Sequence, residues 1–185
     1  MPEVDERQLV IEARHGSREA FRCLVERHMR RAYAIAYRFL NNHHEAEETA
    51  QEAFVRAYES LDGFRAEAEF GTWLYRIVTN LSLNRLKDGK RRRERQEEMS
   101  LAATVSEETV FEASHNDDLK MHIERALHEL PTLQRAVVIL RHMNGLSTKE
   151  VSQILHCTEG TVKTHLFRAM EKLRLKLNFL KEEAR

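Results

Sequence analysis

The chain of 185 residues is poor in residues that break helices: it holds two prolines and six glycines. Little material is left for tight β-turns, and good helix formers such as Leu, Ala, Glu and Arg fill the space. No segment alternates apolar and polar residues with period two for long enough to build a sheet. No apolar run reaches the length of about eighteen residues that a membrane-spanning helix needs. The start, Met1 to Val10, carries Glu3, Asp5 and Glu6 before its first apolar pair. A secretory signal has the opposite order, a basic start and then an apolar core, so a cytoplasmic location is expected. The two cysteines, Cys23 and Cys157, are far apart and form no CxxC, so no structural disulfide is expected in a reducing compartment.

Net charge is also lacking: 30 Lys and Arg balance 30 Asp and Glu. The chain as a whole is therefore no polycation, and any attraction to nucleic acid must come from local charge. Residues 1–95 hold 18 basic against 16 acidic residues, residues 96–118 hold none against 7, and residues 119–185 hold 12 against 7. An acidic strip of weak periodicity thus separates two mildly basic blocks. The expected architecture is all-α: two small helical domains, 1–95 and 119–185, joined by an acidic flexible linker over 96–118.

The first block reads as four helices. Asp5 to His15 is stopped by Gly16, and Ser17 caps a second helix to about Leu40 with Phe21, Leu24, Val25, His28, Ala32, Ile35, Ala36 and Phe39 inward. Asn41 and Asn42 interrupt it. A third helix covers His44 to Leu61 with Ala46, Ala50, Ala53, Phe54 and Ala57 inward, and Asp62-Gly63 ends it. After a loop, Phe64 to Phe70, Thr72 is expected to cap a fourth helix to about Asp88. Its apolar stripe is Leu74, Ile77, Val78 and Leu81, and its opposite face carries a polar ridge of Arg76, Asn80, Asn84, Lys87 and Arg91. The run Lys90 to Arg93 extends the basic end.

In the last block a helix runs from about Leu119 to Leu130, and Pro131 begins another that Gly145 closes. Ser147-Thr148-Lys149-Glu150 is a capping box. A short helix to Leu155, the turn His156-Cys157-Thr158 and a longer helix to about Leu180 give the layout of a DNA-reading helix-turn-helix. In the longer helix Val162, Leu166, Ala169 and Leu173 face inward. Thr161, Lys163, Thr164, His165, Phe167 and Arg168 remain for the outside, and hydroxyls and long cations suit phosphates and base edges. An ordinary helical hairpin with solvated charges has the same outline; the polar outer face and the basic excess of this block favour DNA.

Two stretches resemble one family. Gly145 to Leu155 followed by Glu159 to Ala169, with Leu173-Arg174 trailing, resembles the fourth-domain motif of extracytoplasmic-function sigma factors. Independently, Ala46 to Phe54 resembles their helix for core polymerase, and Phe70 to Asn80 resembles their promoter-melting helix. The resemblance implies a transcription initiation factor with core RNA polymerase and promoter DNA as partners, an anti-sigma protein as restraint, no cofactor and no catalysis of its own. It implies that Glu48, Gln51, Glu52 and Phe54 face polymerase, and that Phe64, Trp73, Arg76, Asn80 and Asn84 handle the melted minus-ten strand. It gives Lys163, Thr164, His165, Phe167 and Arg168 the minus-thirty-five contacts. Two positions depart from the pattern: His156 stands where the turn usually has Gly, and His165 where Arg is frequent.

Residue types also carry plainer readings. Trp73 beside a Leu-Ile-Val stripe reads first as core, and Phe64 serves equally to pack the loop or to stack a base. Phe167 is expected to be partly buried. Asn in mid-helix has no local advantage, so Asn80 reads as functional. Gln51 and Glu52 pass for ordinary surface residues without the resemblance. The segment His44-Glu45-Ala46-Glu47-Glu48 starts like a zinc-protease helix but lacks its second histidine, and His156, Cys157 and His165 lack a fourth ligand, so no metal is expected. The competing function is a dimeric helix-turn-helix repressor or activator that acts without being a polymerase subunit. A small metallohydrolase is disfavoured by the absence of a nucleophile-base pair or a phosphate loop.

Overall fold

At five helix starts among the described residues, a side chain satisfies a free amide of the first turn. The computed structural model describes residues 5–64, 68–99 and 115–178. Asp5 caps α1 (Glu6–Arg14) through the Arg7 amide. Gly16, at φ +90°, turns the chain, and Ser17 caps α2 (Arg18–Leu40) through the Ala20 amide. The two asparagines that follow do different jobs. Asn41 ends α2 in the left-handed region, which Asn tolerates, and Asn42 accepts from the Glu45 amide to start α3 (His43–Glu59). A 3-10 turn, Leu61–Gly63, follows.

Helix α4 spans Phe70–Met99, which corrects both expected ends. It starts before Thr72, so Thr72 is no cap; it lies in the first turn and is buried. It also continues past Asp88, because a single glycine, Gly89, costs only about 1 kcal/mol and the basic run after it propagates helix well. Both ends of the expected acidic linker are helical, since α4 reaches Met99 and α5 (His115–His128) begins before residue 118. The rest of that linker, residues 100–114, lies outside the described residues.

The first lobe is α1 to α4. Leu24, Ala32, Ile35, Ala36 and Phe39 of α2 are fully buried together with Ala46, Ala53 and Ala57 of α3 and Leu74 and Val78 of α4. The alanine stripe of α3 lets its backbone come close to α2, and large side chains from α2 and α4 fill the remaining volume. Burying each of those large side chains stabilises by about 1.5–3 kcal/mol.

The second lobe starts with α5. Pro131 precedes α6 (Thr132–Val138), which passes into a π-helical turn, Ile139–Met143. The widening has a local cause: the Asn144 amide reaches back to the Ile139 carbonyl, and the Asn144 side-chain amide donates to the same oxygen at 2.8 Å. Gly145, at φ +66°, ends the turn. Both halves of the expected capping box are present at α7 (Thr148–Leu155): Ser147 Oγ accepts from the Glu150 amide at 3.2 Å, and Glu150 accepts from the Ser147 amide at 2.7 Å. Thr158 caps α8 (Glu159–Lys176) through the Thr161 amide. Helix α8 closes at Lys176, short of Leu180. Leu173 is its last buried position, Leu175 is 79% exposed, and Leu177, its C-cap residue, packs half-buried on the cluster of Leu173.

The two lobes touch. Helix α7 packs on α4, and the π-turn packs on α2. Leu74 and Val78 share one continuous core with Leu146, Val151 and Ile154. Two arginines tie helix ends across the junction. Arg31 of α2 donates to the Asn144 carbonyl at 2.5 Å, and Arg135 of α6 donates to the Phe39 carbonyl in the last turn of α2. Helix C-termini carry partial negative charge, so a cation suits each position. Burial pushes the Arg135 guanidinium below its ordinary value.

Candidate nucleic-acid interface

The face that the sequence resemblance assigns to a melted strand lies on the first half of α4. Phe64, Phe70 and Trp73 form an aromatic cluster, with ring centroids 5.0 Å apart for Phe64 and Trp73 and 5.8 Å for Phe70 and Trp73. Phe64 is buried, at 6% exposure, so it packs the loop and is not displayed to a melted strand. Trp73 is half-buried and belongs to the edge of the core, as a Trp beside an apolar stripe suggests.

A buried polar network props this end of α4. His28 of α2 bonds the Tyr75 hydroxyl at 2.8 Å through Nδ1 and the Glu6 carboxylate at 2.9 Å through Nε2. A carboxylate only accepts, so Nε2 carries a proton. The hydrogen bond from His28 holds the Glu6 carboxyl below its ordinary value. Burial pushes the Tyr75 phenol up to about 12. Gly71 is required at its position, because a Cβ there would lie 2.9 Å from the His28 ring. The network therefore fixes where α4 begins, and with it the Phe70–Trp73 cluster.

The polar ridge along α4 is present but divided. Asn80, Asn84, Lys87 and Arg91 are exposed on one face. Arg76 is half-buried and lines a cavity of about 460 Å³ with Phe64, Thr72 and Trp73. The far wall of that cavity is Gln153 and His156, from the helix-turn-helix. The two lobes therefore meet at the aromatic end of the ridge and leave its amide and basic end open.

The helix-turn-helix is α7, the turn His156 to Thr158, and α8. His156 adopts φ 51°, ψ 46°, the left-handed geometry for which glycine is the usual residue. Val162, Ala169 and Leu173 are buried and Leu166 is partly buried, as the periodicity requires. Lys163, Thr164, Phe167 and Arg168 are exposed on the outer face. Thr164 donates its hydroxyl to the Gly160 carbonyl at 2.9 Å and keeps lone pairs for an outside donor. Phe167 is 66% exposed, not partly buried as its type suggested. His165 departs from the outward expectation: it is half-buried, and its Nδ1 is buried with no hydrogen-bond partner among the described residues.

On α3, Glu48 and Gln51 are exposed and Glu52 is half-buried. Phe54 is 5% exposed and belongs to the core, which corrects its assignment to a polymerase-facing surface. Val55 and Tyr58, which sequence reasoning passes over, are instead exposed at 57% and 46%. Their spacing from Gln51 is the available signal: positions 51, 55 and 58 lie on one helical face. Arg85 of α4, also missed, donates to Glu48 at 2.9 Å and to Glu52 at 3.1 Å.

Among the described residues, no group of three or more His, Cys, Asp or Glu is placed to hold a metal ion, and no helix is long and apolar enough to cross a membrane. Both cysteines are free.

Comparison with known proteins agrees with this division. The family model Sigma-70 region 2 matches residues 24–92, and Sigma-70, region 4 matches residues 120–173. The ECF RNA polymerase sigma factor SigW of Bacillus subtilis is 35% identical over 179 residues, which covers 91% of this chain and 95% of that protein. The ECF RNA polymerase sigma-E factor of Escherichia coli K12 is 32% identical over 173 residues, covering 89% and 90%. The fold is shared with CnrH, solved in complex with the cytosolic domain of CnrY, at a TM-score of 0.71 and 24% identity, covering 94% of this chain and 97% of that one. With both sigma regions matched in the order of the two lobes and relatives aligned over nearly its whole length, the chain belongs to the extracytoplasmic-function sigma factors of RNA polymerase.

Proposed function

We propose that residues 1–95 dock on core RNA polymerase and open the minus-ten element, that residues 119–185 read the minus-thirty-five element as duplex, and that residues 96–118 join the two. The observation that carries this reading is the pair of separate open faces on one chain. One is the exposed Asn80, Asn84, Lys87 and Arg91 of α4, and the other is the exposed Lys163, Thr164, Phe167 and Arg168 of α8. Amides suit the edges of unpaired bases and cations suit phosphates, while the outer face of a second helix in a helix-turn-helix suits the major groove. Flipping a base costs a few kcal/mol, which stacking and a close-fitting pocket must offset. The cavity bounded by Trp73 and Arg76 has the aromatic and cationic groups for that. Glu48, Gln51 and Glu52 of α3 present an acidic and amide face for polymerase, with the exposed Val55 and Tyr58 on the same helix.

The protein works in the cytoplasm, carries out no chemistry of its own, and is held by an anti-sigma protein until a signal releases it. The complex of CnrH with the cytosolic domain of CnrY supports that restraint by analogy of fold. A dimeric repressor needs the helix-turn-helix but has no use for a lobe matching Sigma-70 region 2.

The test separates recruitment from opening. With core polymerase on a promoter template, Asn80→Ala is expected to leave recruitment near wild type and to reduce strand opening, read by reactivity of unpaired thymines. Equal loss of both would make Asn80 a structural residue. Arg168→Ala is expected to weaken binding of the upstream duplex and to flatten its dependence on salt, since a lost phosphate contact removes released counterions. An unchanged affinity and salt slope would remove Arg168 from the interface.

A further inference from the structure

Glu48 and Glu52 sit one helical turn apart on α3, where like charges repel. Both point to one guanidinium. Arg85 Nη1 donates to Glu48 Oε2 at 2.9 Å, and Arg85 Nη2 donates to Glu52 Oε2 at 3.1 Å. The remaining oxygens are also engaged: Glu52 Oε1 accepts from Arg56 at 2.7 Å, and Glu48 Oε1 lies 3.5 Å from His44 Nδ1. The hydrogen bond from Arg85 holds the Glu48 carboxyl below its ordinary value. Burial opposes the charge on Arg85, but its bonds to Glu48 and Glu52 carry it above its ordinary value. Arg85 is the more buried partner, with its side chain 29% exposed against 50% for Glu48.

We propose that Arg85 is a positioning residue for polymerase docking: it fixes Glu48 and Glu52 as a paired acidic feature that a basic surface of core RNA polymerase recognises. The inference rests on the reading that this face of α3 meets polymerase. Two free glutamates would lose rotamer freedom on binding, and a side chain already held in place loses less. Each carboxylate has room for about four donors, so the pair accepts from Arg85 and still offers lone pairs outward. Geometry makes arginine necessary. Its planar fork reaches two carboxylates at once, while lysine is a single point charge. Arg85 also follows Asn84 directly, so the residue that braces the polymerase face grows from the same turn of α4 as the DNA ridge.

The test is the affinity of the full chain for core RNA polymerase, measured for wild type, Arg85→Ala, Arg85→Lys, the double variant Glu48→Gln with Glu52→Gln, and the triple variant with Arg85→Ala added. Thermal unfolding of each variant accompanies the binding data. Arg85→Ala is expected to weaken binding about fivefold, and Arg85→Lys to recover part of that loss because the charge is kept without the fork. On the background of the double variant, Arg85→Ala is expected to add less than about twofold, because the groups it acts through are gone. A purely structural arginine would cost the same on both backgrounds, and that result overturns the proposal. Weakening by the double variant with none from Arg85→Ala also overturns it, since the acids would then need no brace. If the double variant itself binds polymerase as wild type does, the reading of α3 fails first, and the role of Arg85 falls with it.

Discussion

His156 occupies the corner of the helix-turn-helix at φ 51°, ψ 46°, where a Cβ meets the backbone and costs roughly 1–2 kcal/mol. Asn41 bears the same geometry more lightly, since its short amide suits the left-handed region. His156→Gly is therefore expected to raise stability toward unfolding by about 1 kcal/mol, less what glycine adds to the freedom of the unfolded chain. Chemical denaturation measures it, and a loss of stability would mean that the imidazole does more than line the cavity beside Trp73. Tyr75 gives a pH test. Its phenol titrates at about 12 in the folded protein against an ordinary 10.0. Between those values the unfolded chain releases a proton that the folded chain keeps. The Tyr75 contribution is thus fully present below pH 10 and is lost as pH rises toward 12. Tyr75→Phe is expected to remove that part of the alkaline slope and, at neutral pH, to cost about 1–3 kcal/mol by leaving His28 Nδ1 without its partner. Equilibrium unfolding across alkaline pH reads both effects. An unchanged slope would show that the phenol is not the group responsible. At this scale the sequence is legible where periodicity decides, as with Leu24, Ile35, Leu74 and Val162. It misleads where type and place conflict: the family resemblance puts Phe54 on a surface, although its helical phase, shared with Ala50 and Ala57, points inward.

Five of the helices start at a side-chain cap, and such caps are the most readable signal in the chain. Ser17, Ser147 and Thr158 each accept the amide expected of them, because a short oxygen-bearing side chain before an apolar run has few other uses. Thr158→Ala is expected to cost about 1 kcal/mol and to fray the start of α8, and so to weaken duplex reading more than polymerase binding. Equal loss of both activities would place the damage outside α8. The start of α4 defeats sequence reasoning for a related reason. Thr72 has the right chemistry for a cap, but the aromatic cluster and the approach of Gly71 to His28 pull the helix to an earlier start. The π-turn at Ile139–Met143 is not legible, since it depends on where the Asn144 side chain turns back. Leu74→Ala tests the packing of α4 itself. Its side chain is fully buried, and a loss of about 2–5 kcal/mol is expected on thermal or denaturant unfolding.

Across the whole molecule, two lobes share a core at α4 and α7 and exchange arginine bonds at helix ends. This arrangement is hidden from sequence reasoning, because Arg31 and Asn144, or Arg135 and Phe39, are joined by nothing that local periodicity records. The division into two basic blocks is legible from charge alone. Arg31→Ala combined with Arg135→Ala is expected to loosen the junction and lower energy transfer between dyes at the exposed positions Val55 and Lys163. Unchanged transfer would assign the junction to its apolar contacts. Both open faces are proposed to serve one event, the start of transcription by a larger enzyme. The decisive measurement is transcription by purified core RNA polymerase, with and without the full chain, on a library of genomic promoter fragments. Discrete start sites that need the chain and share two upstream elements are expected, with Asn80→Ala and Arg168→Ala each reducing output. Starts that are the same with and without the chain would contradict the proposal.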